Sequence, residues 1–224
     1  MKGQTQAVTA IMITTVIVGS IATAYLWGIP ILEKRKAELK VQNTQQQVLS
    51  LHQQITEVAN AGKGTTRQIQ IGREGQDDLE IKINNTADYI QVSTISQTAP
   101  YAMDRWTIID GKTAKGLSFS PGNKKYAEKK SYQPGVVAVR PIGSPGTVNL
   151  NYRTEFRNMY LKTPTGAKLE KIDLTAPGRK ESTGQTTIII SNEGVEQDTG
   201  SERIQIDTGE KLRRERTQIS IKLR

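Results

Sequence analysis

From Gln4 to Leu32 the chain carries no charged side chain, reading QTQAVTAIMITTVIVGSIATAYLWGIPIL. A bilayer core is spanned by roughly 20 mostly apolar helical residues, and the run from Ala7 to Trp27 meets that length. Its polar members, Thr9, Thr14, Thr15, Ser20 and Thr23, carry hydroxyls that can bond back to the helix's own carbonyls. Tyr25 and Trp27 supply amphipathic rings where an interfacial aromatic belt is expected. The competing reading is a buried core helix. Length and lack of charge favour a membrane-inserted one.

Met1-Lys2-Gly3 precedes this run. It is too short and too weakly basic for an ordinary secretory n-region, and no small-x-small cleavage site follows the apolar stretch. The arrangement resembles the class III signal peptide of archaeal type IV pilin-like precursors. In that family a short basic leader ends in Lys-Gly or Arg-Gly, a membrane-embedded prepilin-type signal peptidase cuts after the glycine, and Gln often begins the mature chain. Lys2, Gly3 and Gln4 match that pattern residue by residue. The resemblance implies leader cleavage, self-assembly into a filament through the hydrophobic helix, and a place at the cell surface. Bacterial relatives carry Glu as the fifth mature residue. Counted from Gln4 that position is Val8 here, so the resemblance carries over no N-terminal salt bridge. An uncleaved signal anchor is the alternative.

Within the span, Ser20, Ala24 and Gly28 fall on one helix face, and small residues at that spacing let helices approach closely in lipid. Pro30 lacks a backbone donor and clashes with the carbonyl of Leu26, so a kink or break is expected there. From Glu33 the chain turns polar, and Val41, Thr44, Val48, Leu51, Ile55 and Val58 alternate spacings of three and four. That is an amphipathic helical stripe. Gly62 and Gly64 are placed to stop it. A helix from about Ala7 to Asn60 would be ~80 Å long at 1.5 Å per residue. Such a helix, half in lipid and half packed beneath a globular head, is how the pilin-like family builds its subunits.

Thr65 to Arg224 reads as strands. Arg67 to Ile71 and Leu79 to Asn84 alternate strictly around a turn-like Gly72 to Asp77. Further candidates are 89–95, 106–109, 136–140, 147–152, 155–162, 168–174, 186–191, 203–207 and 218–223. Gly, Pro, Asn and Asp punctuate the gaps. The expected fold is α+β: a leader at 1–3, a transmembrane helix at 4–32, an amphipathic stalk at 33–62, and an antiparallel β-sandwich head at 65–224. The segment from Tyr101 to Gln133, with its paired lysines Lys124-Lys125 and Lys129-Lys130, reads as a long solvated loop.

Little in the chain suggests catalysis. It has no cysteine, and its one histidine, His52, sits in the Gln-rich helix; zinc and copper sites and a Ser-His-acid triad are therefore not expected. Asp77-Asp78 and Asp198 to Glu202 lack the spacing of a calcium loop. No cofactor, metal or catalytic residue is expected. The net charge of +9 comes from 31 Lys and Arg against 22 Asp and Glu. The two signs are interleaved, which favours a solvated surface over a nucleic-acid partner. Asn84-Asn85-Thr86 fits an N-glycosylation acceptor. Orientation is contested between two signals. Lys34, Arg35, Lys36 and Lys40 outnumber Lys2, and the positive-inside count alone places the C-terminal domain in the cytoplasm. The leader requires the opposite, and the aromatic pair beside the head agrees with it. The expected protein is a non-enzymatic, pilin-like surface subunit in contact with membrane lipid. Its rival is a membrane-anchored module that does not polymerise, stator-like or glycan-binding.

Overall fold

In the computed structural model the described residues are 2–111, 127–128, 135–144, 146–157, 159–163, 166–198 and 212–224. The chain divides into two compact units, Met1–Val41 and Gln42–Arg224. One helix, α1 (Lys2–Ala61), contributes to both. The boundary falls within the amphipathic segment 33–62. Residues 42–61 belong to the same unit as the strands. α1 is continuous through Pro30, so the break that a proline invites does not occur. The ring still removes the donor that would have bonded the Leu26 carbonyl.

The amphipathic stripe is buried along its length. Val41, Thr44, Val48, Leu51, Ile55 and Val58 all lie at 3% exposure or less. Gly62 and Gly64 end the helix with φ of 91° and 88°, a left-handed conformation that a β-carbon disfavours. The Gly64 N–H then donates to the Asn192 carbonyl at 2.8 Å, turning the chain into the first strand.

Twelve strands follow among the described residues. They are β1 (Thr66–Ile71), β2 (Glu80–Asn84), β3 (Tyr89–Ser96), β4 (Thr107–Asp110), β5 (Ala127–Glu128) and β6 (Gly135–Ser144). After these come β7 (Thr147–Phe156), β8 (Met159–Thr163), β9 (Gly166–Thr175), β10 (Glu181–Thr183), β11 (Thr186–Asp198) and β12 (Leu212–Leu223). One sheet runs β1-β11-β12-β9-β8-β5 and the other β10-β2-β3-β7-β6-β4.

The body is therefore α+β with two six-stranded sheets. The pairing is not wholly antiparallel: β12 pairs β9, and β5 pairs β8, in parallel. The cause is topological. A parallel partner must be reached by a crossover, and between β9 and β12 the chain visits the second sheet at β10 before returning as β11. The stretch expected as one strand over 155–162 is two, because β7 ends at Phe156 and β8 starts at Met159. The short β5 and β10 were not expected. The candidate strand at 203–207, residues 199–202 and both lysine pairs, Lys124-Lys125 and Lys129-Lys130, lie outside the described residues.

Alternation explains much of the core, whereas in β6 the consecutive Val136, Val137, Ala138 and Val139 are all buried. In the second sheet Ile81, Ile83, Ile90, Val92, Val137, Val139, Leu150 and Tyr152 are buried, and in the first Ile188, Ile190, Ile219 and Ile221. The buried part of α1 touches strands of both sheets. Its His52 ring stacks on Phe156 of β7 with centroids 5.7 Å apart. On the other side Asn192 of β11 donates its side-chain amide to the Val58 carbonyl at 2.9 Å. A partly buried ion cluster links the sheets as well. Lys171 of β9 bridges to Asp88, at 2.9 Å, and to Asp173. Asp88, in the β2–β3 turn, also accepts the Leu174 N–H at 3.3 Å. Burial alone would lower the Lys171 pKa, but hydrogen bonds and charge from Asp173 and Asp88 outweigh it and raise the value.

Candidate functional site

The surface that least suits water is the first half of α1. Ile11, Met12, Ile13, Val16, Ile17, Val18, Ile21, Tyr25, Leu26, Trp27, Ile31 and Leu32 are all exposed, Trp27 to 75%. Such a contiguous apolar surface marks a membrane or protein contact. The polar atoms inside it are internally satisfied. Thr15 donates to the Ile11 carbonyl, Ser20 to Val16 and Thr23 to Gly19, each at 2.8 Å. In hydrocarbon every polar group needs an internal partner, and these hydroxyls have one. By length and composition the helix can cross a membrane.

Of the residues singled out in the sequence, Ser20, Ala24 and Gly28 lie along this one helix. The Ser20 hydroxyl turns back on its own backbone, and a β-carbon added at Gly28 would meet nothing within 4 Å. Pro30 sits within the same helix. Lys2, Gly3 and Gln4 occupy its first turn. A peptidase needs an extended substrate backbone, so cleavage after Gly3 would require that turn to unwind, which helix ends do readily.

Asn84 belongs to the other unit. Its Oδ1 accepts the Thr86 and Ala87 N–H groups at 3.1 and 2.9 Å, shaping the β2–β3 turn. Its amide nitrogen approaches the Tyr89 hydroxyl at 3.4 Å. A glycan at this nitrogen would displace that contact. Asp78 is structural: one carboxylate oxygen accepts the Thr94 hydroxyl and the Ile95 N–H, both at 2.9 Å.

His52, which sequence reasoning placed beside the helical stripe, is buried at 4% exposure. Burial lowers its pKa, Arg157 acts in the same direction, and Asp110 opposes them. Its Nδ1 has no hydrogen-bond partner among the described residues. Among those residues no group of three or more His, Cys, Asp and Glu side chains is arranged to hold a metal. The polar and aromatic cluster around Arg153, on the second sheet, went unread in the sequence. Only the pairing of β3 with β7 brings Tyr89, Gln91 and Arg153 together.

The fold and this surface define a coarse class, an α+β chain with one N-terminal helix long and apolar enough to cross a membrane. No protein-family model, characterised protein or solved structure matches the chain.

Proposed function

We propose that the chain is a pilin-like surface subunit, held in the membrane by the first half of α1 and assembled through that helix after cleavage behind Gly3. The observation that carries this is the exposed apolar helix with its hydroxyls bonded internally. A water-soluble protein would gain roughly 25 cal/mol for each Å² of that surface it buried. Lipid or neighbouring copies of the same helix would supply the cover. Ser20, Ala24 and Gly28 would form the close-approach face between copies. The two sheets, with buried residues on the faces that meet α1, support a β-sandwich head; the one apolar helix supports a single pass, and the leader-like Lys2, Gly3 and Gln4 support a head on the outer side of the membrane. The head has a structural or adhesive role and catalyses nothing.

Mass spectrometry of the protein purified from its membrane tests this directly. A mature chain starting at Gln4, together with fibres containing it in electron micrographs, is the expected result. An intact Met1, or a cut beyond Trp27, refutes the leader. A chain starting at Gln4 without fibres favours the non-polymerising, membrane-anchored module, which shares the same exposed helix.

A further inference from the structure

The ion cluster between the sheets has more parts than a plain salt bridge needs. One lysine meets two acids. Lys171 Nζ contacts Asp88 Oδ2 at 2.9 Å and an oxygen of Asp173. Lys171 and Asp173 stand two residues apart on β9, and side chains at that interval share a face of the strand. Asp88 comes from the β2–β3 turn, so its carboxyl and the amine belong to different sheets.

Asp88 is held on several sides. Its backbone takes the left-handed conformation, with φ of 51°, and its carbonyl accepts the Phe156 N–H at 3.1 Å. Its Oδ1 accepts the Leu174 N–H at 3.3 Å. Its side chain is 3% exposed, against 16% for Lys171 and 18% for Asp173. The carboxyl thus presents one oxygen to an amine and the other to a backbone donor, in a place that largely excludes water. A nucleophile fixed against its target reacts at an effective concentration far above any reached in solution. A backbone N–H on the second oxygen stabilises the oxyanion of a tetrahedral intermediate.

We propose that Lys171 and Asp88 condense to an isopeptide bond that joins the two sheets covalently, with Asp173 as the proton acceptor. Before reaction, burial disfavours the ammonium, but hydrogen bonds to Asp173 and Asp88 outweigh it and keep the amine protonated. Passing one proton to Asp173 frees the nitrogen lone pair, the form in which a lysine is a nucleophile. Nζ adds to Cγ of Asp88, the Nζ–Cγ bond forms and the Cγ–Oδ2 bond breaks. Of the three ammonium protons, one stays on the amide nitrogen and two leave with Oδ2 as water, one of them by way of Asp173. The charges of amine and carboxylate cancel, no electrons are transferred, and Asp173 ends as it began. Asp173 is the poorer acyl partner, being more exposed and having Arg216 Nε 3.9 Å from its other oxygen where Asp88 has a backbone donor. The chain has no cysteine; this amide gives its body the kind of cross-link a disulfide supplies, which constrains the unfolded chain.

Intact-mass spectrometry of the full-length protein, purified in detergent and then denatured, reads the bond directly. The expected mass is lower by one water than that calculated for the chain, whichever residue it begins at. Trypsin should release residues 83–105 joined to residues 169–179, with Lys171 uncut. Lys171→Arg keeps a cation between the acids and should show the full calculated mass, as should Asp173→Asn. Asp88→Asn should lose ammonia in place of water, because nitrogen is then the leaving group. A parent protein at its full calculated mass overturns the proposal and leaves an ion cluster only. A water loss that persists in Lys171→Arg, or that maps to another pair of residues, overturns it equally; one that persists in Asp173→Asn refutes the role given to that residue. None of these outcomes depends on whether the helix forms a filament.

Discussion

Gly135→Ala tests the seat of the buried helix. An ideal β-carbon built on Gly135 would lie 2.9 Å from Nδ1 and 3.1 Å from Nε2 of His52, and nearer still to the ring carbon between them. The ring has little room to yield, because it stacks on Phe156 at an interplanar angle of 18° and is only 4% exposed. Overpacking of this kind costs about 1–3 kcal/mol, and a trapped ring places the expectation near ~3 kcal/mol. For a unit of this size each kcal/mol lowers the melting temperature by roughly 2–4 °C, so a fall of about 6–12 °C is expected. The decisive measurement is a double-mutant cycle by thermal melting in detergent. In a His52→Ala background the added methyl enters vacated space, and Gly135→Ala should cost close to nothing. A coupling of roughly 2–3 kcal/mol is the signature. Equal cost in both backgrounds would refute the contact between His52 and Gly135.

Three other perturbations follow from the same geometry. Because burial lowers the His52 pKa below its usual value near 6.5, the unfolded chain binds the proton more readily. Stability is complete above about pH 6.5 and falls as pH drops toward the folded-state value, by up to ~1.4 kcal/mol per pH unit; His52→Gln should flatten that part of the curve, and parallel curves would refute it. Lys171→Ala strips Asp88 and Asp173 of their shared cation and should cost about 3 kcal/mol, read from the urea midpoint; an unchanged midpoint would mean the cluster contributes nothing. Ile17→Lys places a charge within the exposed apolar run at about 3 kcal/mol against insertion, roughly a hundredfold in the inserted fraction. Carbonate extraction should move the protein to the soluble fraction, and retention in the pellet would argue against a lipid-facing helix.

The chain's periodicities were legible because each is set by local geometry. A charge-free run of this length dictates an apolar helix wherever it sits. The three-and-four spacing from Val41 to Val58 named six residues that are all buried, and passed over His52 beside them, which is buried too. Two-residue alternation located β1, β2 and β3 to within a residue or so. The tertiary structure decided what depends on residues far apart in the chain. It split 155–162 between two strands, set β12 parallel to β9, and drew residues 42–61 into the strand-bearing unit. His52 looks unremarkable in a Gln-rich helix and became buried because Gly135, remote in sequence, leaves room for its ring. Arg153 likewise gained its aromatic neighbours through strand register. Local spacing fixes which side of an element is apolar, whereas the partner across that side depends on chain closure, which no window of sequence contains.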